Sequence, residues 1–258
     1  MTDISPQVLL EAAIEISASA ARIPMRYFRA GIAVEDKADD SPVTVADRET
    51  EEHIRSAVLA RFPGHGILGE EFGQSGGEAD YIWVVDPIDG TRSFICGVPV
   101  FGMLLGVMRG GVMQAGVIRM PALGECYAGS LGGQATLNGE PIACRKLADI
   151  GEARLFINEA NLMVEREPER LKRLLQIGRV RRFFNDCYPF ALLAAGQIDA
   201  VVDFDLKPYD FLPFVAVIDA AGGIVTDWAG EPLRLKSDGS IVAAATPELH
   251  RTVIDRLA

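Results

Sequence analysis

The chain is poor in the residues on which most easily recognised active sites depend. Its four cysteines are widely scattered and form no C-x-x-C pair, which argues against zinc binding and dithiol redox chemistry. Its three histidines are equally isolated, and no H-E-x-x-H, G-x-S-x-G or Walker A motif occurs. If the chain is an enzyme, its chemistry is not expected to depend on imidazole.

Positive charge and long apolar runs are also scarce. The formal net charge is −11 and no long Lys/Arg cluster is present, so a nucleic-acid partner is not expected. No apolar run is long enough to span a bilayer, so a membrane partner is not expected either. The N-terminal stretch carries acids where a secretory signal has positive charge, and its apolar residues recur at helical spacing. We therefore expect a cytoplasmic protein.

Helix and strand patterns, by contrast, are abundant in the first half of the chain. An amphipathic helix is predicted at 5–29, a second helix from about 47 to 61, and a buried strand at 81–85. Glycine-punctuated strands between 101 and 138 predict an antiparallel meander.

The second half alternates more regularly. A charged amphipathic helix is predicted at about 161–177, followed by strand RVRRFF, helix CYPFALLAAG, strand DAVVDFDL, helix YDFLPFVAVIDAAGG and strand IVTDW. A last strand, IVAAA, and a C-terminal helix complete the chain. Helices layered on two sheets fit this order, in a mixed α/β fold. We expect one domain over 1–258, with halves of about 1–145 and 146–258.

The segment WVVDPIDGTRSF, at 83–94, places two carboxylates directly after the buried strand. Pro87 fixes its own φ and Gly90 can adopt a positive φ, so a tight loop aims Asp86 and Asp89 at a common point. Carboxylates this close are stable only if a cation lies among them or one is protonated, and oxygen ligands suit Mg²⁺. The amides from Gly90 onward are suited to an anion, as at a helix start. Taken alone, the segment is equally compatible with a solvated acidic turn.

Other acids stand at the ends of predicted elements. Glu70 and Glu71 follow a short apolar run and lie between two glycines, and the alternative there is again a solvated turn. Asp47 and Asp210 each begin a predicted helix. For both, the alternative is a helix N-cap, a position at which Asp is among the preferred residues. None of these acids is diagnostic by itself.

Together these segments resemble the Mg²⁺-dependent, lithium-sensitive inositol monophosphatase family over nearly the whole chain. The resemblance rests on PVTVAD (42–47), GEE (69–71), WVVDPIDGTRSF (83–94) and YDFLPFVAVIDAAGG (209–223), in the family's order and spacing. It implies the layered α-β-α-β-α sandwich of the inositol monophosphatase and fructose-1,6-bisphosphatase type. It also implies phosphate monoester hydrolysis with two or three Mg²⁺ ions per site, and a homodimer. The apolar stretch 96–107 suits a dimer interface or the core equally well.

The resemblance implies a shared ligand set for two metal ions. One ion would be held by Glu70, Asp86 and the carbonyl of Ile88. The other would be held by Asp86, Asp89 and Asp210. In a two-metal hydrolysis, one ion lowers the pKa of the attacking water and the other stabilises the leaving alkoxide.

The resemblance further implies which groups hold the phosphate and the water. The amides of Gly90 and Thr91 would bind the phosphoryl oxygens. Asp47 and the Thr91 hydroxyl would orient and deprotonate the attacking water, with Glu70 beside the metal on the same side. Lys37, in the loop DKADDSPVT, would belong to a mobile flap that helps bind a further metal, or is a solvated loop lysine.

Substrate preference is carried by other segments. LKPYD (206–210) and Asp-Cys-Tyr (186–188) resemble the histidinol-phosphatase branch of the family, although a glycine is commoner ahead of this aspartate. L-histidinol phosphate carries an ammonium group and an imidazole, which carboxylates suit. Asp186 and Asp203 lie where family members contact the alcohol; the alternatives are a loop acid and an outward strand residue. The other hypotheses are an inositol monophosphatase, a broad sugar or nucleotide phosphatase, and a non-catalytic regulatory family member.

Overall fold

Two short helices, a strand pair and a longer helix make up the N-terminal block. The computed structural model describes residues 3–36 and 42–258. The elements of this block are α1 (Pro6–Ala20), α2 (Arg22–Tyr27), β1 (Val34–Asp36), β2 (Pro42–Thr44) and α3 (Val45–Arg61). The predicted helix at 5–29 is thus two helices that meet at Ala21, whereas the predicted helix at 47–61 is confirmed. Lys37, which the sequence assigned to a flap, lies outside the described residues.

An eight-stranded sheet follows. Its elements are β3 (Gly66–Gly69), β4 (Gly73–Ser75), β5 (Tyr81–Asp89), the short helix α4 (Thr91–Ile95), β6 (Gly102–Arg109), β7 (Val112–Met120), β8 (Glu125–Ser130), β9 (Thr136–Leu137) and β10 (Glu140–Pro141). The strand order is β10-β9-β8-β7-β6-β5-β3-β4, and only β3 and β5 pair in parallel. Strands β6 to β8 confirm the predicted meander.

A five-stranded sheet with helices on both faces forms the second half. After a 3₁₀ turn (Ile150–Glu152) its elements are β11 (Arg154–Asn158), α5 (Ala160–Arg166), α6 (Pro168–Leu174), β12 (Val180–Phe184), α7 (Tyr188–Ala194), β13 (Ala200–Asp203), α8 (Pro208–Ala220), β14 (Ile224–Thr226), β15 (Ile241–Ala244) and α9 (Pro247–Leu257). The order is β12-β11-β13-β15-β14, with β11 parallel to both of its neighbours. The sequence did not predict β11. The predicted helix at 161–177 divides at Glu167, because Pro168 begins a new helix.

The buried side chains separate into alternating layers of helix and sheet. One apolar cluster joins α1 and α3 to one face of the eight-stranded sheet. A second fills the space between the sheets, where α7 and α8 lie, and a third covers the outer face of the five-stranded sheet with α6 and α9. Val201 belongs to the middle cluster and Val202 to the outer one, since consecutive strand residues point to opposite faces. This α-β-α-β-α arrangement confirms the predicted fold.

Three glycines on neighbouring strands pack closely against α8. Gly106 pairs with Gly116, and Gly116 pairs with Gly129, across strands β6, β7 and β8. A Cβ at Gly116 would lie only 1.9 Å from the carbonyl oxygen of Pro213 in α8. Any larger residue would lift the helix off the sheet. These glycines therefore set the distance between α8 and the eight-stranded sheet, and α8 carries Asp210 in its first turn.

Two observations bear on partners. Within the stretch 96–107, the residues from Phe101 onward are buried core, whereas Val98 is 42% exposed. Core packing thus accounts for the second part of the stretch, and an interface at its first part stays a prediction. In the portion of the chain that the structure describes, no helix is long and apolar enough to cross a membrane.

Candidate active site

The two aspartates of the D-P-I-D segment lie on the irregular end of β5. The strand runs on to Asp89, and its pairing with β6 shifts register between Asp86 and Asp89. The predicted loop at 86–90 is therefore a bulged strand end, closed by Gly90 at a φ of +84°. The Oδ1 atom of Asp86 accepts a hydrogen bond of 3.0 Å from the Ile88 amide. This bulge turns both carboxylates to one side, as the sequence required.

A compact cluster of carboxylates results. One oxygen from each of Asp86, Asp89 and Asp210 lies within 4.8 Å of the others, and Glu70 is close enough to Asp86 to raise its pKa. Burial, reinforced by the neighbouring negative charges, raises the pKa of Asp86 and of Asp89 well above the ordinary value. Burial likewise raises the pKa of Asp210, to about 7. The cluster is thus short of positive charge.

This donor set fits a hard divalent cation. Only oxygen atoms are offered, they are partly withdrawn from water, and they repel one another until a cation neutralises them. The side chains that would hold it are those of Glu70, Asp86, Asp89 and Asp210. Ile88 also lines the cavity, and its carbonyl oxygen accepts the Thr91 hydroxyl at 3.1 Å. The structure therefore brings the five predicted ligands together, and their ligation of a metal stays a prediction.

Asp47 and Asp210 are positioned by the same hydrogen-bond arrangement at the N-termini of α3 and α8. Each aspartate is the third residue of its helix and accepts the backbone N–H of the N-cap residue. The Thr44 amide donates to Asp47 Oδ2 at 2.8 Å, and the Lys207 amide donates to Asp210 Oδ2 at 2.7 Å. Neither aspartate is itself the N-cap, so this alternative is wrong for both. The capping bond fixes one oxygen of each carboxylate; the other oxygen of Asp47 lies 3.3 Å from the Thr91 hydroxyl, and one oxygen of Asp210 lies within 4.8 Å of those of Asp86 and Asp89.

The Thr91 hydroxyl connects Asp47 to the end of β5. It lies 3.3 Å from Asp47 Oδ1 and 3.1 Å from the Ile88 carbonyl oxygen. Gly90 is the N-cap of α4 and has no side chain to cap the first amides of that helix. A Cβ at Gly90 would lie 2.5 Å from Asp186 Cγ, so glycine is required by space as well as by its positive φ.

The two acids assigned to substrate preference line the same cavity. Asp186 has a left-handed backbone (φ +61°), and its Oδ2 accepts a 2.5 Å hydrogen bond from the Ser93 hydroxyl. Burial raises the pKa of Asp186 to about 6, although Ser93 and Arg92 oppose the shift. Asp203 is 3% exposed, and burial raises its pKa well above the usual range. Asp203 is therefore no outward strand residue.

Sequence reasoning missed several residues that order this region. The amide of Asn158 donates from Nδ2 to Asp203 Oδ2 at 2.7 Å and to the Asp186 carbonyl at 3.1 Å. The Cys187 amide donates to Asp89 Oδ2 at 2.5 Å. Ser93 stands within the recognised segment 83–94, but Asn158 ends a strand that the sequence did not reveal. No local pattern marked it.

Most of these groups line one cavity of about 620 Å³, whereas Asp47 and Asn158 are fully buried and are not part of its lining. Its lining includes the carboxylates of Glu70, Asp86, Asp89 and Asp210 together with those of Glu159, Asp186 and Asp203. A cavity of this size accommodates a small phosphorylated metabolite. The arrangement can hold a phosphate ester over a metal site while carboxylates contact the rest of the molecule.

Comparison with known proteins agrees with this geometry. The model of the inositol monophosphatase family matches residues 5–258. A bifunctional phosphatase of Arabidopsis thaliana, IMPL2, is 40% identical over 90% of this chain and 70% of its own length. A histidinol-phosphatase of Chlorobaculum parvum is 36% identical over 91% of each chain. The structure of an inositol monophosphatase from Zymomonas mobilis superposes with a TM-score of 0.88 at 32% identity, covering 99% of both chains. This chain therefore belongs to the inositol monophosphatase family of phosphatases.

Proposed function

We propose that the protein hydrolyses L-histidinol phosphate to L-histidinol and phosphate in a Mg²⁺-dependent reaction. The observation that carries this proposal is the distribution of carboxylates around one cavity. Asp86, Asp89 and Asp210 lie together with Glu70 nearby, where a metal and phosphate would bind, and the half-buried Asp186 and the buried Asp203 line the same cavity, where we place the alcohol. A substrate with an ammonium group and an imidazole complements that second set.

The chain's own groups would perform the hydrolysis by direct attack of water on phosphorus. Mg²⁺ held by the carboxylate cluster would lower the pKa of a bound water and neutralise the phosphoryl oxygens. Asp47, joined to Thr91, would orient that water and accept its proton. The amides of Gly90 and Thr91 would donate hydrogen bonds to the phosphoryl oxygens. The P–O bond to the alcohol would then break, the leaving oxygen would take a proton from solvent water, and Asp47 would return the proton it accepted to solvent.

The preference for histidinol is supported by charge and by similarity. Asp186 and Asp203 are fixed by hydrogen bonds from Ser93, Asn158 and the Phe204 amide, so they present acceptors in set positions. The similarity to the Chlorobaculum parvum histidinol-phosphatase spans nearly the whole chain. We further propose a cytoplasmic homodimer without nucleic-acid or membrane partners.

The alternative is an inositol monophosphatase, or a phosphatase of broader specificity with the same metals. Carboxylates also accept hydrogen bonds from sugar hydroxyls, and an inositol monophosphatase has a closely similar structure. A non-catalytic regulatory role is less well supported, because Asp47, Glu70, Asp86, Asp89 and Asp210 are all present.

The test is phosphate release from L-histidinol phosphate and from myo-inositol monophosphate, measured side by side with Mg²⁺ and with EDTA. We expect Mg²⁺-dependent release with a higher kcat/KM for histidinol phosphate. In Asp186→Asn, that preference should narrow, mainly through a higher KM for histidinol phosphate. Equal rates, or a preference for inositol phosphate, would contradict the assigned substrate but not the metal chemistry.

A further inference from the structure

Glu51 of α3 is a fully buried carboxylate that does not line the cavity. Its Oε2 accepts the Glu71 amide at 2.7 Å, and its Oε1 accepts the Phe72 amide at 3.2 Å. Arg55, one helical turn further along α3, donates from Nε to Oε1 at 2.7 Å. The buried charge is thus paired with Arg55, and the same carboxylate also accepts two backbone amides of a turn.

That turn begins with Glu70, a proposed metal ligand. The Glu70 amide donates to the Val85 carbonyl at 3.1 Å, directly before Asp86 in the neighbouring strand. Three consecutive amides, those of Glu70, Glu71 and Phe72, are therefore all held, one by β5 and two by Glu51. Such a turn has little freedom to move the Glu70 carboxylate relative to Asp86.

Gly69 shows how closely the carboxylate approaches. A Cβ at Gly69 would lie 2.0 Å from Glu51 Oε1, so no side chain fits between the turn and the carboxylate. The φ of Gly69 is not positive, so glycine is required there because of space alone. Gly69 therefore leaves the space that the Glu51 carboxylate needs to reach the turn, and the two residues are called the Gly69–Glu51 unit.

The position of Glu51 on α3 links the Gly69–Glu51 unit to the water-orienting residue. Glu51 follows Asp47 by four residues, which places both on one face of the helix. Asp47 is held at the helix start by the Thr44 amide. The helix therefore fixes the distance between Asp47, which would orient the attacking water, and the turn that carries Glu70.

We propose that Glu51 is a positioning residue that fixes Glu70 for metal binding. The inference rests on the proposed metal site. It is distinct from a purely structural role, in which the buried Glu51–Arg55 pair would contribute to stability but leave Mg²⁺ affinity unchanged. A carboxylate that holds two amides cannot be matched by an amide side chain, which offers one oxygen and turns an N–H toward the backbone.

The test compares Glu51→Gln with two controls in the intact protein. Glu52→Gln makes the same chemical change on an exposed neighbour, and Ile54→Val trims a fully buried side chain of the same helix. The readout is the Mg²⁺ concentration that gives half of the Mg²⁺-induced rise in Tm, measured without substrate. Phosphate release against Mg²⁺ concentration is the second readout.

We expect Glu51→Gln to raise the half-effect Mg²⁺ concentration by about 10- to 100-fold, the usual effect of removing a partner that orients a ligand. Both controls should stay within about twofold of the unaltered protein. A lower Tm for Glu51→Gln with an unchanged half-effect concentration would overturn the proposal. If Glu51→Gln does not fold, Gly69→Ala decides in the same way, since its Cβ displaces the Glu51 carboxylate.

The outcome is separable from the substrate assignment. If the unaltered protein gains Tm with Mg²⁺ but hydrolyses neither ester, the proposed substrate fails, while a shifted half-effect concentration in Glu51→Gln still supports the positioning role. If Mg²⁺ leaves the Tm of the unaltered protein unchanged, the metal site fails and the role of Glu51 fails with it.

Discussion

Replacing Asp89 by asparagine is expected to inactivate the enzyme and to stabilise the metal-free protein. Oxygens of Asp86, Asp89 and Asp210 lie within 4.8 Å of one another, a separation at which two unit charges repel by about 3 kcal/mol at an effective dielectric constant of about 20. Asparagine removes the charge but keeps an oxygen that can accept the Cys187 amide. Partial protonation of the cluster reduces the gain, so we expect about 2 kcal/mol at pH 8.

The gain should depend on pH in a direction that the pKa values set. Burial raises the pKa of Asp210 from 3.8 to about 7, and it raises the pKa of Asp89 as well. The folded state therefore binds these protons more tightly than the unfolded state, and the associated stability, full below about pH 4, is lost as the pH rises through about 7. Asp89→Asn removes one of the carboxylates that cause this loss of stability at high pH. Its advantage should be small at pH 5 and largest at pH 8.

The assay is thermal unfolding in EDTA at pH 5 and pH 8, with Asp255→Asn as an exposed control for the same chemical change. A gain of about 2 kcal/mol corresponds to a Tm about 4–8 °C higher in a chain of this size. In excess Mg²⁺ the order should reverse, because only the unaltered protein keeps its full ligand set. An Asp89→Asn variant that is less stable in EDTA at pH 8, or that releases phosphate at a near-normal rate, would refute the reasoning.

Three further results are expected. Asp47→Asn should lower kcat for phosphate release at saturating Mg²⁺ by about 10²- to 10⁴-fold, because an amide cannot take the proton from water, with Tm as the check on folding. Gly116→Ala should lower the free energy of unfolding by about 1–3 kcal/mol in urea, since its Cβ would meet the Pro213 carbonyl. The metal-free protein should lose stability between pH 5 and pH 8, as urea midpoints in EDTA would show, because the pKa of Asp210 is raised.

The sequence predicted those parts of the site that follow buried strands or begin helices. Asp86 and Asp89 come at the end of a clear apolar run, and Asp47 lies in the first turn of a helix whose predicted bounds were nearly right. The layered fold followed from the order of the elements together with the family resemblance. These signals are local, so a single chain is enough to read them.

The missing parts depend on contacts between distant segments. Strand β11 has only five residues and is defined by parallel partners that come later in the chain. Glu51 looks like any charged residue of an amphipathic helix until the turn after Gly69, about 20 residues later, is brought against it. The bulge between Asp86 and Asp89 likewise becomes visible only when β6 is paired with β5.

The most direct test of the central claim is a crystal structure of the protein with Mn²⁺ and phosphate, in which anomalous scattering locates the metal. We expect Mn²⁺ bonded to oxygens of Asp86, Asp89 and Asp210, with Glu70 on the ion nearer Asp86 and phosphate facing Thr91. Mn²⁺ bound elsewhere, or absent from this cluster in crystals that hold phosphate, would contradict it.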